Sequence, residues 1–125
     1  VGGWVAIRTI VYTLDRGIFG VSTSPSCTQL SWSQSTFNGV YFNGSQVVKI
    51  ESGIQASPFN TVNGMNMLRI KRITLTSLSI DYSMNFGTTW INIGMISNIP
   101  NITQYVYIFP PINGRVLMPS GFMLE

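Results

Sequence analysis

Residues 67–84 read MLRIKRITLTSLSIDYSM, and the alternation in this stretch decides the fold class. In its second half, Leu78, Ile80, Tyr82 and Met84 alternate with Ser79, Asp81, Ser83 and the following Asn85. A period of two puts successive side chains on opposite faces of an extended chain, so this half reads as a half-buried strand. In the first half, Leu68 and Ile70 point one way and Arg69 and Lys71 the other. After Arg72 the phase flips, and Ile73 and Leu75 take over the apolar side. A slip of one residue is what a β-bulge produces.

The rest of the chain agrees with this reading. Val, Ile, Thr, Phe, Tyr and Trp make up 51 of the 125 residues, against 29 for Ala, Leu, Glu, Lys, Arg, Gln and Met together. That balance predicts an all-β chain. Trp4 to Leu14 reads as one strand, apolar on both faces and inside the sheet system, followed by a turn at Asp15-Arg16-Gly17. Further strands are expected at 18–23, 30–37 and 88–95, and then at 104–109, 115–118 and 122–124. Val40 to Phe42 and Gln46 to Glu51 form a hairpin about Asn43-Gly44, a pair suited to the positive φ angles of a type I′ turn. Ser52 to Met65, with Gly53, Pro58, Asn60, Asn63 and Gly64, reads as the longest irregular stretch and therefore as a recognition loop. Nine or ten short, mostly antiparallel strands follow, the pattern of a jelly-roll-like β-sandwich built as a single domain over residues 1–125. Expected core positions are Ile7, Val11, Ile70, Ile73, Leu75, Ile80, Tyr82, Ile91, Ile93, Val106 and Ile108.

Composition excludes most chemistry. The chain has no His, one Cys, four carboxylates and seven cations, with only 9% of its residues charged. Ser, Thr, Asn and Gln number 40, so the surface is built from neutral polar groups. A Ser-His-Asp or Cys-His centre cannot form, zinc has too few ligands, and calcium has no Asp-rich loop. Asp15, Glu51, Asp81 and Glu125 are the only candidates for general acids, and each has a plainer role in a turn, on a strand or at the chain end. No catalytic residue, metal or cofactor is expected. Among the cations only Arg69, Lys71 and Arg72 cluster, too few for a nucleic-acid surface. They read as the exposed face of a strand, where cations discourage edge-to-edge pairing. Cys27 has no partner for an intrachain disulfide and reads as a buried thiol. No apolar stretch approaches the ~20 residues of a membrane span. A start at Val1 fits either loss of an initiator Met or removal of a longer leader.

Two kinds of surface site remain. Trp32, Tyr41 and Phe42, with Gln55, Asn60 and Asn63, combine aromatic platforms with neutral hydrogen-bonding groups. That combination suits a glycan, including one on a host surface, although Trp4, Trp32 and Trp90 all fall within expected strands, where Trp is usually core. The sequons at Asn43 and Asn101 are candidate glycosylation sites, Asn43 being also a turn residue. Half the chain is apolar and few charges keep its copies apart, so a symmetric homo-oligomer is expected. Met67, Trp90 and Met95 are its candidate interface residues, with Arg69 and Lys71 as a polar rim.

The segment Leu68 to Ser77, the alternating strand to Asn85, Tyr107-Ile-Phe-Pro-Pro111 and the closing Arg115-Val-Leu-Met-Pro-Ser-Gly-Phe-Met-Leu124 form a wider pattern. Over Leu68 to Leu124 it resembles the small β-sandwich virion proteins of tailed phages and related viruses, of the decoration, head-fibre or adsorption type. The resemblance implies a non-enzymatic structural protein, at the virion or otherwise extracellular, assembling with other particle subunits, and a trimer before a dimer. It carries over no functional residue. Two alternatives stay open. One is a subunit of an extracellular filament, with Val1 to Leu14 donated to a neighbour's sheet. The other is a monomeric, lectin-like carbohydrate-binding module.

Overall fold

A computed structural model describes residues 3–9, 14–27, 33–44, 46–60, 67–109 and 117–123. Among these residues lie ten strands and no α-helix. They are β1 (Trp4–Thr9), β2 (Leu14–Ser22), β3 (Phe37–Gly44), β4 (Gln46–Glu51) and β5 (Ile54–Asn60), then β6 (Met67–Thr74), β7 (Ser77–Ser83), β8 (Ile91–Ile96), β9 (Tyr105–Phe109) and β10 (Leu117–Met123). They form two five-stranded sheets, the first in the order β10-β1-β6-β7-β8 and the second in the order β5-β4-β3-β2-β9. Every pairing is antiparallel. The sheets pack face to face over Leu68, Ile70, Leu78, Ile80, Tyr82 and Ile96 from the first and Phe19, Val21, Val40 and Val47 from the second. The chain is a β-sandwich. β1 pairs with β10 and β2 with β9, so the two outermost strand pairs lie in opposite sheets. The inner strands instead run as two meanders, β2 to β5 and β6 to β8.

β7 sits between β6 and β8 and is buried on both faces. Its polar residues Ser79, Asp81 and Ser83 are as enclosed as Leu78, Ile80 and Tyr82, so the expected half-buried strand is a fully buried one. The expected bulge is present, with the β6–β7 register shifting between Arg72 and Thr74. Ile73 and Leu75, however, are exposed rather than core. The reason is position: Thr74 pairs with Ser77, so Ile73 lies in the bulge and Leu75 in the turn at the sheet's end. Ile91 and Val106 are also exposed, because β8 and β9 are edge strands with a neighbour on one side only. Ile93 and Ile108 are half-buried against the core, while Ile70, Ile80 and Tyr82 are buried as expected. Val11 and the side chain of Ile7 lie outside the described residues.

Several boundaries differ from the sequence reading. The single strand expected from Trp4 to Leu14 is divided, with Trp4–Thr9 in β1 of the first sheet and Leu14 opening β2 of the second. Asp15 to Gly17 does not reverse the chain but lies within β2, where the register with β3 shifts between Asp15 and Ile18. The turn residues are absorbed as an extra residue in a strand. Residues 33–36, expected to continue a strand, form a turn closed by Phe37 N–H donating to Gln34 O at 3.0 Å. Of the expected 52–65 loop, the described residues 52–60 are largely a strand, β5, joined to β4 by a tight turn at Ser52 (φ 51°) and Gly53 (φ 76°). Two consecutive left-handed residues are the geometry of a primed hairpin turn. β5 escapes recognition because Pro58 breaks its pattern, and an edge strand is where a proline is tolerated. In the neighbouring β3–β4 hairpin Asn43 pairs with Gln46, which puts the reversal one residue later than Asn43-Gly44.

The second sheet is buried on its far side too, by Ile18, Phe37, Val48 and Ile50 with Tyr41 packed against them. At the centre of that face Gly20 pairs with Gly39, and the ring of Phe37 lies over Gly20. A Cβ at Gly39 would sit 2.4 Å from Phe19 O and 2.5 Å from Gly20 Cα, so the two glycines permit a close approach that no other residue would.

Candidate functional site

Three features of the surface are built rather than incidental, and all involve β7 and β8. On the outer face of the first sheet, Ala6, Arg69, Asp81 and Asn92 are cross-strand neighbours in one row. Arg69 donates to Asp81 Oδ2 through Nε at 3.0 Å and through Nη2 at 2.8 Å. Ser79 Oγ donates to the same oxygen at 3.2 Å, and Asn92 Nδ2 donates to Oδ1 at 3.0 Å. The Arg69 guanidinium also lies 4.3 Å from the Trp90 ring centroid, a cation–π contact. Every oxygen of this buried carboxylate is therefore used, and the cluster is structural.

The β7–β8 connection folds back over this row. Ser83 Oγ accepts from Gly87 N at 2.8 Å and donates to Asn85 Oδ1 at 2.9 Å. Asn85 Oδ1 accepts from Thr89 N at 2.9 Å, and Asn85 Nδ2 donates to Thr89 Oγ1 at 2.9 Å. Thr88 donates to Asn85 O through both its amide and its hydroxyl. This bracing holds Phe86 at φ 55° at the tip, 63% exposed, with Met84 and Ile91 also exposed nearby in sequence. A left-handed aromatic residue costs about 1 kcal/mol or more, so the surrounding bonds must over-determine it. Asn85→Ala is expected to speed amide exchange at Thr89 about fivefold, the worth of one hydrogen bond, with global stability nearly unchanged. Hydrogen-exchange NMR reads this directly. The sequence reading began a strand at residue 88, where β8 starts only at Ile91, and gave residues 86–87 no role, although Asn85 and Gly87 are turn-forming residues that could have marked the loop.

The third feature is a cavity of about 300 Å³ between the sheets, beside the edge strands β5 and β8. Its buried walls are Val40, Val47 and Ile80, and its half-buried ones are Lys49, Ala56, Ile93 and Gly94. Lys49 reaches from β4 across to β8, its stem against Gly94 and its ammonium donating to Met95 O at 3.0 Å. Glu51 lies 4.0 Å from that ammonium and accepts from Ser97 N at 3.0 Å. Two side chains of one sheet thus satisfy backbone groups at the edge of the other.

The expected interface residues come together on the outer face of the first sheet, but not in the expected roles. Met67 is buried, with Gly87 of the loop lying close to its sulfur. Arg69 is spent on Asp81 and Trp90, so it is no rim residue, while Lys71 and Trp90 are half-buried and Met95 is exposed. β6 is also an internal strand, so its cations guard no edge. Arg72 instead holds the β6–β7 turn, donating to Leu75 O at 2.7 Å and to Pro100 O at 3.3 Å.

Of the expected glycan-binding residues, only Tyr41 and Gln55 have described side chains. Tyr41 is half-buried against the far-side core and Gln55 is exposed at the start of β5. Asn60 ends β5, five residues and roughly 16 Å of strand away from Gln55. Phe42 lies in β3, and the side chains of Phe42 and Asn60, like all of Trp32 and Asn63, fall outside the described residues. Asn43 is paired within the β3–β4 hairpin, and Asn101 is exposed in the β8–β9 connection. Cys27 is half-buried rather than buried. It lies near Tyr107, whose hydroxyl donates to Ser24 O at 2.6 Å. The Tyr107 phenol is pushed above 10.0 by desolvation first, then by its hydrogen bond to Cys27 and repulsion from Cys27 and Tyr105.

Comparison with family models, with curated proteins and with solved structures finds no match for this chain.

Proposed function

We propose that this chain is a non-enzymatic structural protein of a virion surface, working as a closed homo-oligomer that presents loops from a rigid sandwich. The observation that carries the reading is the braced β7–β8 loop, which holds Phe86 out in a strained conformation. An exposed aromatic at a conformational cost is a mark of recognition rather than of folding. The chain's lack of His supports the non-enzymatic part. So do the positions of Asp81 and Glu51, each tied up in bonds that hold strands together. The virion assignment rests on the resemblance of residues 68–124 to small virion sandwiches. The filament alternative has less support, because β1 is hydrogen-bonded on both sides within its own chain, to β10 and to β6.

Light scattering over a micromolar to millimolar range separates the readings. A fixed mass at a small multiple of 13.8 kDa is expected. Growth without limit as concentration rises would favour strand donation. A mass that stays at one chain, together with binding on a glycan array, would favour the lectin-like module.

A further inference from the structure

The four sheet edges are not alike. β5 carries Pro58 and a register shift against β4, and β10 carries Pro119 and a register shift against β1. β8 is bulged against β7, and its backbone is already bonded from outside, at Met95 by Lys49 and just beyond, at Ser97, by Glu51. Devices of this kind keep an edge from pairing with another chain. β9 has none of them. It reads Tyr-Val-Tyr-Ile-Phe, keeps an unbroken register of five pairs with β2, and lies in a stretch without charge from Tyr82 to Gly114. We propose that β9 is where two copies meet: the strands pair antiparallel about a two-fold axis at Tyr107, and the second sheets merge into one of ten strands. This rests on the homo-oligomer reading above and makes the closed unit a two-fold pair rather than the trimer that the resemblance implies.

Burial along β9 points to a strand as the occupant. Val106 pairs with Val21, so the two share the face turned toward the other sheet, where Val21 is buried in the core. Val106 itself is 51% exposed. Among the described residues, then, the core stays open on this flank for want of one more strand. The sequence of β9 is also complementary to itself. In the two-fold register Val106 meets Ile108 of the second copy on the core side, and Ile108, which already packs against the core, meets the second copy's Val106. On the other face Tyr105 meets Phe109. Aromatic cross-strand pairs are favourable, the aliphatic pairs leave water, and no charge opposes another. Backbone bonds supply the affinity of such an added strand, and matched side chains set its register. The contact is isologous and closes at two copies.

Sedimentation velocity on wild type, Val106→Lys and Ile54→Lys tests the contact. Wild type is expected to run as a pair of chains. Val106→Lys puts a cation into the joint twice and is expected to weaken pairing at least about a hundredfold, tenfold per site. Ile54→Lys makes the same kind of change at a more exposed residue of β5 and is expected to leave pairing as it is. A Val106→Lys protein that keeps the wild-type mass, or a wild type of three chains, would overturn the β9 contact and leave the homo-oligomer reading standing. Equal dissociation of Ile54→Lys would overturn it too, since added charge alone would then disperse the copies. A wild type that stays monomeric at millimolar concentration removes both. Cross-linking checks the register. In a Cys27→Ser background, an equimolar mixture of Val106→Cys and Ile108→Cys is expected to oxidise to a 1:1 disulfide dimer. Either variant alone is not, because its two new thiols sit on Cα atoms roughly 8 Å apart, beyond disulfide reach. No mixed dimer from variants that still associate would overturn the pairing. If Val106→Lys fails to fold by circular dichroism, Tyr105→Lys charges the same edge and is read in the same way.

Discussion

Arg69→Ala is expected to lower the unfolding free energy by about 3 kcal/mol. The Arg69 side chain is 17% exposed and that of Asp81 only 6%, so removing the guanidinium strands a carboxylate in a nearly dry setting. Breaking one member of a buried pair costs about 3–5 kcal/mol, and the residual exposure of Arg69 puts this case at the low end. Ser79 and Asn92 would still donate to Asp81, but neither neutralises it. The double variant Arg69→Met, Asp81→Leu is expected to fall within about 1.5 kcal/mol of wild type, since a buried pair exchanged for apolar groups of similar volume is often neutral. Urea unfolding of the three proteins checks both statements. A single variant as stable as wild type would mean that water reaches Asp81 freely.

A larger effect is expected at the glycine pair of the second sheet. Gly39→Ala places a methyl group 2.4 Å from a backbone oxygen and 2.5 Å from the Cα of Gly20, with no flexible side chain to yield. Gly20→Ala meets Asn38 O at 2.4 Å and the Phe37 ring at 2.7 Å. Overpacking of this kind costs about 3 kcal/mol, and against rigid backbone it can cost more. The expected outcome is a thermal midpoint lowered by well over ten degrees, or no folded protein. Gly94→Ala is the control: its new methyl group would meet only the Lys49 stem, at 3.3 Å, and that stem can move. Its midpoint should barely shift, which scanning calorimetry would show.

The fold class was legible because it depends on averages and on phase. The alternation through Leu78, Ile80 and Tyr82 names the strand and the side that faces the core. It could not show that the Ser79, Asp81, Ser83 side would be covered as well, because period two reports phase and not what lies above the sheet. Part of that cover is the 84–90 loop, whose Gly87 bonds to Ser83 and whose Trp90 lies on Arg69, and Arg69 becomes half of a buried pair rather than the expected rim residue. Ile73 and Leu75 were misassigned for a related reason: a bulge flips the phase, but only the hairpin's length decides whether the flipped residues still lie over the core. β5 was hidden by Pro58 and by the polar residues around Ser52-Gly53, whose two left-handed angles make a turn and not the start of a long loop. The cavity was not legible at all. Val40, Val47, Ala56, Ile80 and Ile93 come from five strands in two sheets, and no local pattern brings them together.

The nesting of β1 with β10 has a consequence for how the chain is made. The two meanders join strands adjacent in sequence, and such short-range pairings form early. Trp4 pairs with Met123, so the outer edge of β1 has no partner of its own until residue 123 has emerged from the ribosome. During synthesis β1 can already be docked on β6 while its other side stays open. An open strand edge in a crowded polysome invites the β10 of a sister chain, and the product would be an exchanged dimer with native pairings in both halves.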